Sequence, residues 1–145
     1  MALGVGTFNL SFTSAASAGT TVAAGPVTGL GLFYSLSIVA TLQGGTGGTL
    51  DLWLQYSPDA GTTWVDYAHW PQLAAGATAT TRVWNVSKHG QQTTLTTVGL
   101  GTSPALAAGS ILGGDWGDRL RVVQTAGIGT SAGAAQTILI IASSF

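Results

Sequence analysis

Hydrophobic and polar residues alternate along much of this chain, and a period of two is that of a β-strand with one buried face. The clearest run is LDLWLQY, residues 50–56, in which three leucines and a tyrosine share one face. Gly, Pro, Asn, Asp or Ser bound each run, as expected for strands separated by turns. The predicted strands are Phe8–Phe12, Tyr34–Leu42, Leu50–Tyr56, Thr63–Trp70, Thr80–Ser87, Thr93–Leu100, Arg119–Thr125 and Gln136–Ser143.

No stretch of ten or more residues has the period of an amphipathic helix, although LAAGATA and SPALAAGS could each hold a short helical turn. A length of 145 residues is that of one domain. We therefore predict an all-β fold: a single-domain β-sandwich over residues 1–145, jelly-roll-like, with about eight antiparallel strands. Residues 1–7 are predicted to form an N-terminal arm.

Two Ala- and Gly-rich segments, Leu73–Ala79 and Gly101–Ser110, are predicted to be long loops. Long loops in a compact domain are commonly functional surfaces. We therefore expect contacts with neighbouring subunits at these two segments.

Charged residues make up only 6% of the chain, glutamate is absent, and the formal net charge is −1. Soluble domains usually contain about 25% charged residues. The hydrophobic share of 46% excludes a disordered chain, which would combine low hydrophobicity with high charge. Because so few charges protect the surface against association, we predict that partner proteins cover much of it.

Several classes of protein are excluded by what the sequence lacks. Without cysteine there is no disulfide framework, thiolate metal site or cysteine nucleophile. Four cations are too few for a nucleic-acid footprint, so no nucleic-acid partner is predicted. The longest apolar stretches, Leu30–Leu42 and Ile138–Ala142, are too short to span a bilayer, and no Lys or Arg precedes the apolar N-terminus as a secretory leader requires. No membrane partner is predicted.

The segment SPDAGTTW, residues 57–64, matches the pattern Ser-x-Asp-x-Gly-x-Thr-Trp and is similar to an Asp box. Its five fixed positions are predicted to build a hairpin turn. The aspartate would accept hydrogen bonds from following amides, the glycine would adopt positive φ, and the tryptophan ring would close the turn from beneath. The candidate structural residues are Ser57, Asp59, Gly61, Thr63 and Trp64.

An Asp box also occurs in sialidases, but their chemistry needs several boxes, an arginine cluster and a glutamate beside a tyrosine nucleophile. Other glycosidases need a pair of carboxylates at a defined separation. The aspartates here have simpler interpretations on strands, in the turn or at a Gly-rich corner around Trp116. The five are Asp51, Asp59, Asp66, Asp115 and Asp118.

Nucleophilic and metal chemistry have equally weak signals. His69 or His89 could belong to a Ser-His-Asp site, yet neither is accompanied by a Gly-x-Ser-x-Gly elbow. We predict that His69 is a strand residue and His89 a turn residue. GDWGD, residues 114–118, lacks the dense oxygen ligands of a calcium loop. The prediction is a protein that is not an enzyme, with no catalytic residue, no metal and no cofactor.

Two segments resemble structural proteins of tailed bacteriophages and prophages. LDLWLQYSPDAGTTWVDYAHW, residues 50–70, resembles their alternating strand, Asp-box turn and acidic-aromatic return strand, and WGDRLRVV, residues 116–123, resembles a later strand. The resemblance implies a virion protein without catalytic residues. Within the particle, we favour a capsid decoration or cement protein on the capsid exterior, made in the host cytoplasm. Its implied partners are the major capsid protein and its own copies, as a homotrimer.

Two other functions remain open. A carbohydrate-binding or adhesion module could stack sugar rings on exposed aromatics, for which the candidates are Trp53, Trp70 and Trp84. However, Trp53 lies on the face opposite the leucines of its strand, and a sandwich with both faces covered would bury it. A tail-tube or head-completion subunit would differ by forming rings of six or twelve.

Overall fold

The computed structural model describes residues 4–14, 21–89, 96–127 and 134–144, with only the backbone described at 11–14 and 134–135. The described part of the chain contains strands, turns and loops and no helix. The strands are β1 (Val5–Ser14), β2 (Thr21–Val27), β3 (Ser35–Leu42), β4 (Leu50–Ser57), β5 (Val65–His69), β6 (Thr80–Ser87), β7 (Arg119–Ala126) and β8 (Ala134–Ser143).

The strands form two four-stranded sheets, which we call sheet A (β1-β8-β3-β6) and sheet B (β2-β7-β4-β5). All neighbouring strands are antiparallel. The pairs β1–β8, β2–β7, β3–β6 and β4–β5 make the chain one long hairpin, rolled up so that its strands are shared between the two sheets. This is the topology of a jelly roll, and the predicted all-β sandwich is confirmed.

The core lies between the sheets and follows from the alternation of the strands. In β3 every second residue is buried, and the inward side chains of β4 face it from sheet B. Each fully buried leucine or isoleucine stabilises the fold by about 1.5–3 kcal/mol relative to an exposed one. The largest fully buried side chains are Trp116, Tyr67, Leu30, Leu36, Ile38, Leu42, Leu50, Leu52, Leu54, Leu106, Leu120 and Ile138.

The predicted strands agree with the structure at most places, and two differences have physical reasons. Strand β2 was not predicted, because its sequence TVAAGPV lacks alternation and contains a proline. At a sheet edge, where β2 lies, proline is tolerated because no neighbouring strand needs its missing N–H. The predicted strand Thr93–Leu100 is wrong over 96–100, where only Leu100 makes isolated bridges, to Val65 and to Ser103. Residues 93–95 lie outside the described residues.

Smaller differences concern the ends of elements. The return strand predicted at Thr63–Trp70 is β5, two residues later at its start. Of the segment 1–7, Val5 to Thr7 are the first residues of β1 and pair with Ser143 to Ile141 of β8, while residues 1–3 lie outside the described residues. No helix in the described chain has the length and apolarity needed to cross a bilayer.

Candidate functional site

The turn that joins β4 to β5 lies at the tip of the rolled hairpin and contains the SPDAGTTW segment. Asp59 Oδ1 accepts hydrogen bonds from the Thr63 amide at 2.6 Å and from the Ser57 hydroxyl at 3.1 Å. The Ser57 hydroxyl in turn accepts the Gly61 amide at 2.6 Å. Gly61 has a φ of +101°, which a residue with a side chain rarely adopts. The first side of the hairpin is therefore bonded to the second through Ser57 and Asp59.

The electrostatics of Asp59 agree with a structural use. Hydrogen bonds from Thr63, first from its side chain and then from its amide, hold the pKa of this exposed carboxyl below its ordinary value of 3.8. A general acid needs the opposite shift, since it must carry a proton near neutral pH. Asp59 is thus a charged hydrogen-bond acceptor at the corner near neutral pH.

Trp64 closes the turn on its sheet side. Its indole Nε1 donates to the Gly61 carbonyl at 3.1 Å, and the guanidinium of Arg121 lies 4.4 Å from its ring centroid. Arg121 also donates from Nε to Gln55 Oε1 at 2.9 Å and from a terminal nitrogen to the Gly101 carbonyl at 3.0 Å. Burial lowers the pKa of Arg121 from its usual value. The arginine therefore connects the turn to a distant loop, and it is not directed at an open substrate site.

Asp66 is the most fully bonded carboxylate of the described chain. Its Oδ2 accepts the amides of Gly99, Ala105 and Leu106 at 2.8, 2.7 and 3.0 Å, and its Oδ1 accepts Gln55 Nε2 at 2.9 Å. Asp66 and Gln55 are both completely buried. Hydrogen bonds to a charged group contribute about 1.5–3 kcal/mol each. Asp66 thus anchors a loop more than thirty residues away in sequence, and both of its oxygens accept hydrogen bonds from the protein itself.

The loop that Asp66 holds covers the outer face of sheet B, and we call it the cover loop, Gly99–Leu112. Its backbone also completes the free edge of β5: the His69 amide donates to the Ser110 carbonyl at 2.9 Å, and the Leu112 amide donates to the Tyr67 carbonyl at 2.8 Å. Leu106, at the middle of the loop, is 2% exposed. The predicted loop Gly101–Ser110 is present, and it packs on its own sheet.

His69 contacts the same loop. Its Nδ1 lies 2.7 Å from the Leu106 carbonyl, its Nε2 lies 3.4 Å from Asp51 Oδ1, and its ring stacks on Trp53 at 4.1 Å. The Trp53 indole Nε1 also donates to the Leu106 carbonyl, at 3.3 Å. Each ring nitrogen of His69 therefore already faces an oxygen of the protein itself. His69 is a strand residue and His89 a turn residue, as predicted.

The Gly-rich corner around Trp116 uses its two aspartates locally. Asp115 Oδ1 accepts the Gly117 amide at 3.0 Å and lies 3.5 Å from Lys88 Nζ, whereas Asp118 Oδ1 accepts the Gly31 amide at 3.2 Å. Trp116 is fully buried, with Lys88 Nζ 5.2 Å from its ring centroid. These groups fasten the corner to the loop before β3.

The three tryptophans considered for sugar stacking are placed differently. Trp53 and Trp70 are 8% and 3% exposed, so neither presents a ring face to solvent. Trp84 is half-buried, and its ring meets that of Trp70 edge-on at 4.9 Å. A pocket of about 230 Å³ lies beside this pair, and Arg82, which makes no hydrogen bond or ion pair within the described residues, also lines it.

Sheet A has an outer face of a different kind. Since Leu36, Ile38, Ala40 and Leu42 point into the core, the alternate residues of each strand point outward. No side chain among them is charged. We call this surface the bare face; its described side chains are Val5, Thr7, Asn9, Ser35, Ser37, Val39, Thr41, Thr81, Val83, Asn85, Ser87, Thr137, Leu139, Ile141 and Ser143.

Sequence reasoning identified the turn residues and the aspartates but missed the links that Gln55, Asp66 and Arg121 make to the cover loop. A signal was present in Trp53, an aromatic residue on the polar side of β4, because such a residue indicates that something covers that side. No local feature of the sequence indicates which segment covers that side.

Comparisons with known proteins do not assign a function to the chain. No protein-family model matches the chain, and no curated protein matches it. Among solved structures, a chain in "Structure of infectious bursal disease virus Gx strain" is similar over 93% of this chain, at 13% identity and a TM-score of 0.38. This protein spans 32% of that chain. A TM-score this low carries no conclusion about function.

Proposed function

We propose that this protein is a structural component of a tailed-bacteriophage particle, and specifically a decoration or cement protein on the outside of the capsid. The observation that carries the proposal is how its polar groups are used. Asp59, Asp66, His69 and Arg121 are bonded to the protein's own turn and cover loop. The outer face of sheet A, the bare face, has no charged side chain among its described residues. Polar groups that are bonded within the protein, together with an uncharged outer face, suit adhesion better than catalysis. We therefore assign the protein no enzymatic activity.

The mechanism is adhesive. A rigid sandwich bound at repeated lattice points bridges neighbouring capsomers, and modest interfaces of about 800 Å² per partner hold it firmly when several act together. The proposed partners are the major capsid protein and further copies of this chain. A homotrimer would match the local three-fold axes of a shell. The resemblance of residues 50–70 and 116–123 to phage structural proteins supports this assignment.

A carbohydrate-binding module is the second candidate, and the pocket beside Trp84 is the observation that favours it. The burial of Trp53 and Trp70 counts against it, since sugar stacking needs an open ring face. Glycan-array binding that disappears in a Trp84→Ala variant would replace the structural proposal with this one.

Deletion of the gene from the phage or prophage genome that carries it tests the proposed function. We expect particles that assemble but lose DNA at lower temperature or under osmotic shock, and electron microscopy should show missing density at repeated positions outside the shell. Purified protein added back should restore both. Deletion particles with unchanged density and unchanged heat tolerance would refute the cement role.

A further inference from the structure

The bare face has an apolar centre and an uncharged polar border. Val39 pairs with Val83 on one side and with Leu139 on the other, and Ile141 lies two residues along β8 from Leu139, so the four form one patch. Serine, threonine and asparagine surround it. Val83 and Ile141 are 59% and 36% exposed. An apolar centre within a polar border is the anatomy of a protein–protein interface.

The size of the face suits a contact between two copies. With strands about 4.8 Å apart and outward residues about 6.8 Å apart, each outward side chain covers about 33 Å², so the face covers about 500 Å². Two such faces together would bury about 1,000 Å², which is the lower bound for a specific interface. The centre of the patch, near Val39, would lie on the two-fold axis.

The absence of charge indicates which partner fits. In a two-fold contact the same surface of both molecules takes part. A charged side chain near the axis would therefore lie close to the identical side chain of the second molecule. The bare face has none, and it can pair with itself without that repulsion. A charged partner surface would have to bury its ions here without a counter-ion, which is costly.

We propose that the bare face of one molecule binds the bare face of a second copy, with the two sheets packed face to face about 10 Å apart. The proposal rests on the proposed function in one respect, that copies of the chain contact one another, and it differs from it in symmetry. Two faces packed across a two-fold axis make a dimer, so a homotrimer in solution would leave the proposed function standing and overturn this contact. It assigns contact with the capsid to other surfaces of the molecule.

Light scattering after size-exclusion chromatography, over a series of protein concentrations, tests the proposal. The wild-type chain should have twice its monomer mass of 14.5 kDa. Val83→Asp should raise the dissociation constant about tenfold or more, because a carboxylate would be buried without a partner. The matched control is Leu100→Asp, since Leu100 is equally exposed, at 59%, but lies on the cover loop. It should leave the dimer intact.

Cross-linking provides a second measurement that needs no charged substitution. The chain has no cysteine, so Val39→Cys introduces a single thiol near the proposed axis. Facing sheets are about 10 Å apart, which is beyond the reach of a disulfide, but a short bis-maleimide would span them. We expect a covalent dimer with Val39→Cys and none with Leu100→Cys.

The outcomes separate this proposal from the proposed function. A monomer, a trimer, or a dimer that Val83→Asp leaves unchanged would overturn the face-to-face contact. If the protein is monomeric and Val83→Asp instead abolishes binding to deletion particles, the bare face contacts the shell, and the function stands while this inference fails. A dimer broken by Val83→Asp alone supports the inference whether or not the protein binds capsids.

Discussion

The outer faces of the two sheets are built from similar strands but have opposite surroundings. On sheet B the cover loop buries Trp53, Gln55 and Asp66, and its backbone also completes the edge of β5. On sheet A the outward side chains are serine, threonine, valine, leucine, isoleucine and asparagine, and no segment of the described chain lies over them. Buried polar groups need partners within the fold, whereas hydroxyl and small apolar side chains tolerate either water or a second protein surface. The chain therefore covers the outer face of sheet B with its own loop, and no described residue covers the bare face, the surface that we propose for self-association.

The largest effect should come from removing the anchor of the covered face. Asp66→Ala leaves three loop amides without an acceptor, two of them buried, and we expect the free energy of unfolding to fall by about 3 kcal/mol or more. Urea denaturation would measure the loss, and hydrogen exchange should become faster at Gly99, Ala105 and Leu106. Asp118→Ala is the control, because Asp118 is exposed and accepts one amide, from Gly31. A loss below about 1 kcal/mol for Asp66→Ala would mean that the carboxylate does not hold the loop.

The apolar contact of the same loop should rank next. Leu106→Ala creates a cavity under the cover loop, and we expect a loss of about 2–4 kcal/mol. Leu100→Ala, the same substitution at an exposed position of the loop, should change stability by less than about 0.5 kcal/mol. Thermal unfolding of both variants and of the wild-type chain would measure the two losses of stability. Equal losses would show that the loop does not pack on the sheet as a cover.

Arg121 links the turn to the cover loop, and its loss should have an intermediate effect. Arg121→Gln removes the contact with Trp64 and the hydrogen bonds to Gln55 and to the Gly101 carbonyl, with an expected cost of about 1–2 kcal/mol. Arg82→Gln removes a cation with no hydrogen bond or ion pair in the described chain and should be nearly neutral. Chemical denaturation of the Arg121→Gln and Arg82→Gln variants would measure the free energy of unfolding of each. If Arg82→Gln costs as much as Arg121→Gln, the assignment of partners is wrong.

The smallest effect should be the pH dependence of the exposed turn. The pKa of Asp59 is lowered in the folded state, so its contribution to stability is present above the unfolded pKa and is lost as pH falls through the folded pKa. An NMR titration should give Asp59 a pKa below 3.8, and Thr63→Ala should raise it. In Asp59→Asn, this part of the acid dependence of unfolding should disappear. A pKa at or above the ordinary value would contradict the hydrogen bonds described for the turn.

Much of the fold could be predicted because the strands alternate strictly. Thr80–Ser87 was predicted with its observed bounds, and Leu50–Tyr56 differs from β4 by one residue. Strand β2 was missed because its sequence does not alternate and contains a proline, and because it pairs only at an edge, where backbone hydrogen bonds form it without a pattern of side chains. Thr96–Leu100 has strand-like composition, but its backbone is used to hold the carboxylate of Asp66 and the edge of β5.

The features that can be read from the sequence are local: which residues of each strand face the core, where the hairpin tip lies, and how little charge the surface carries. These follow from side-chain periodicity and from short-range hydrogen bonds, such as that from Thr63 to Asp59. Which outer face is covered is a property of the folded chain that no local pattern predicts. That choice depends on contacts between residues thirty or more positions apart, as between Asp66 and the amides of Ala105 and Leu106, and a polar residue carries no local sign of the distant partner that satisfies it.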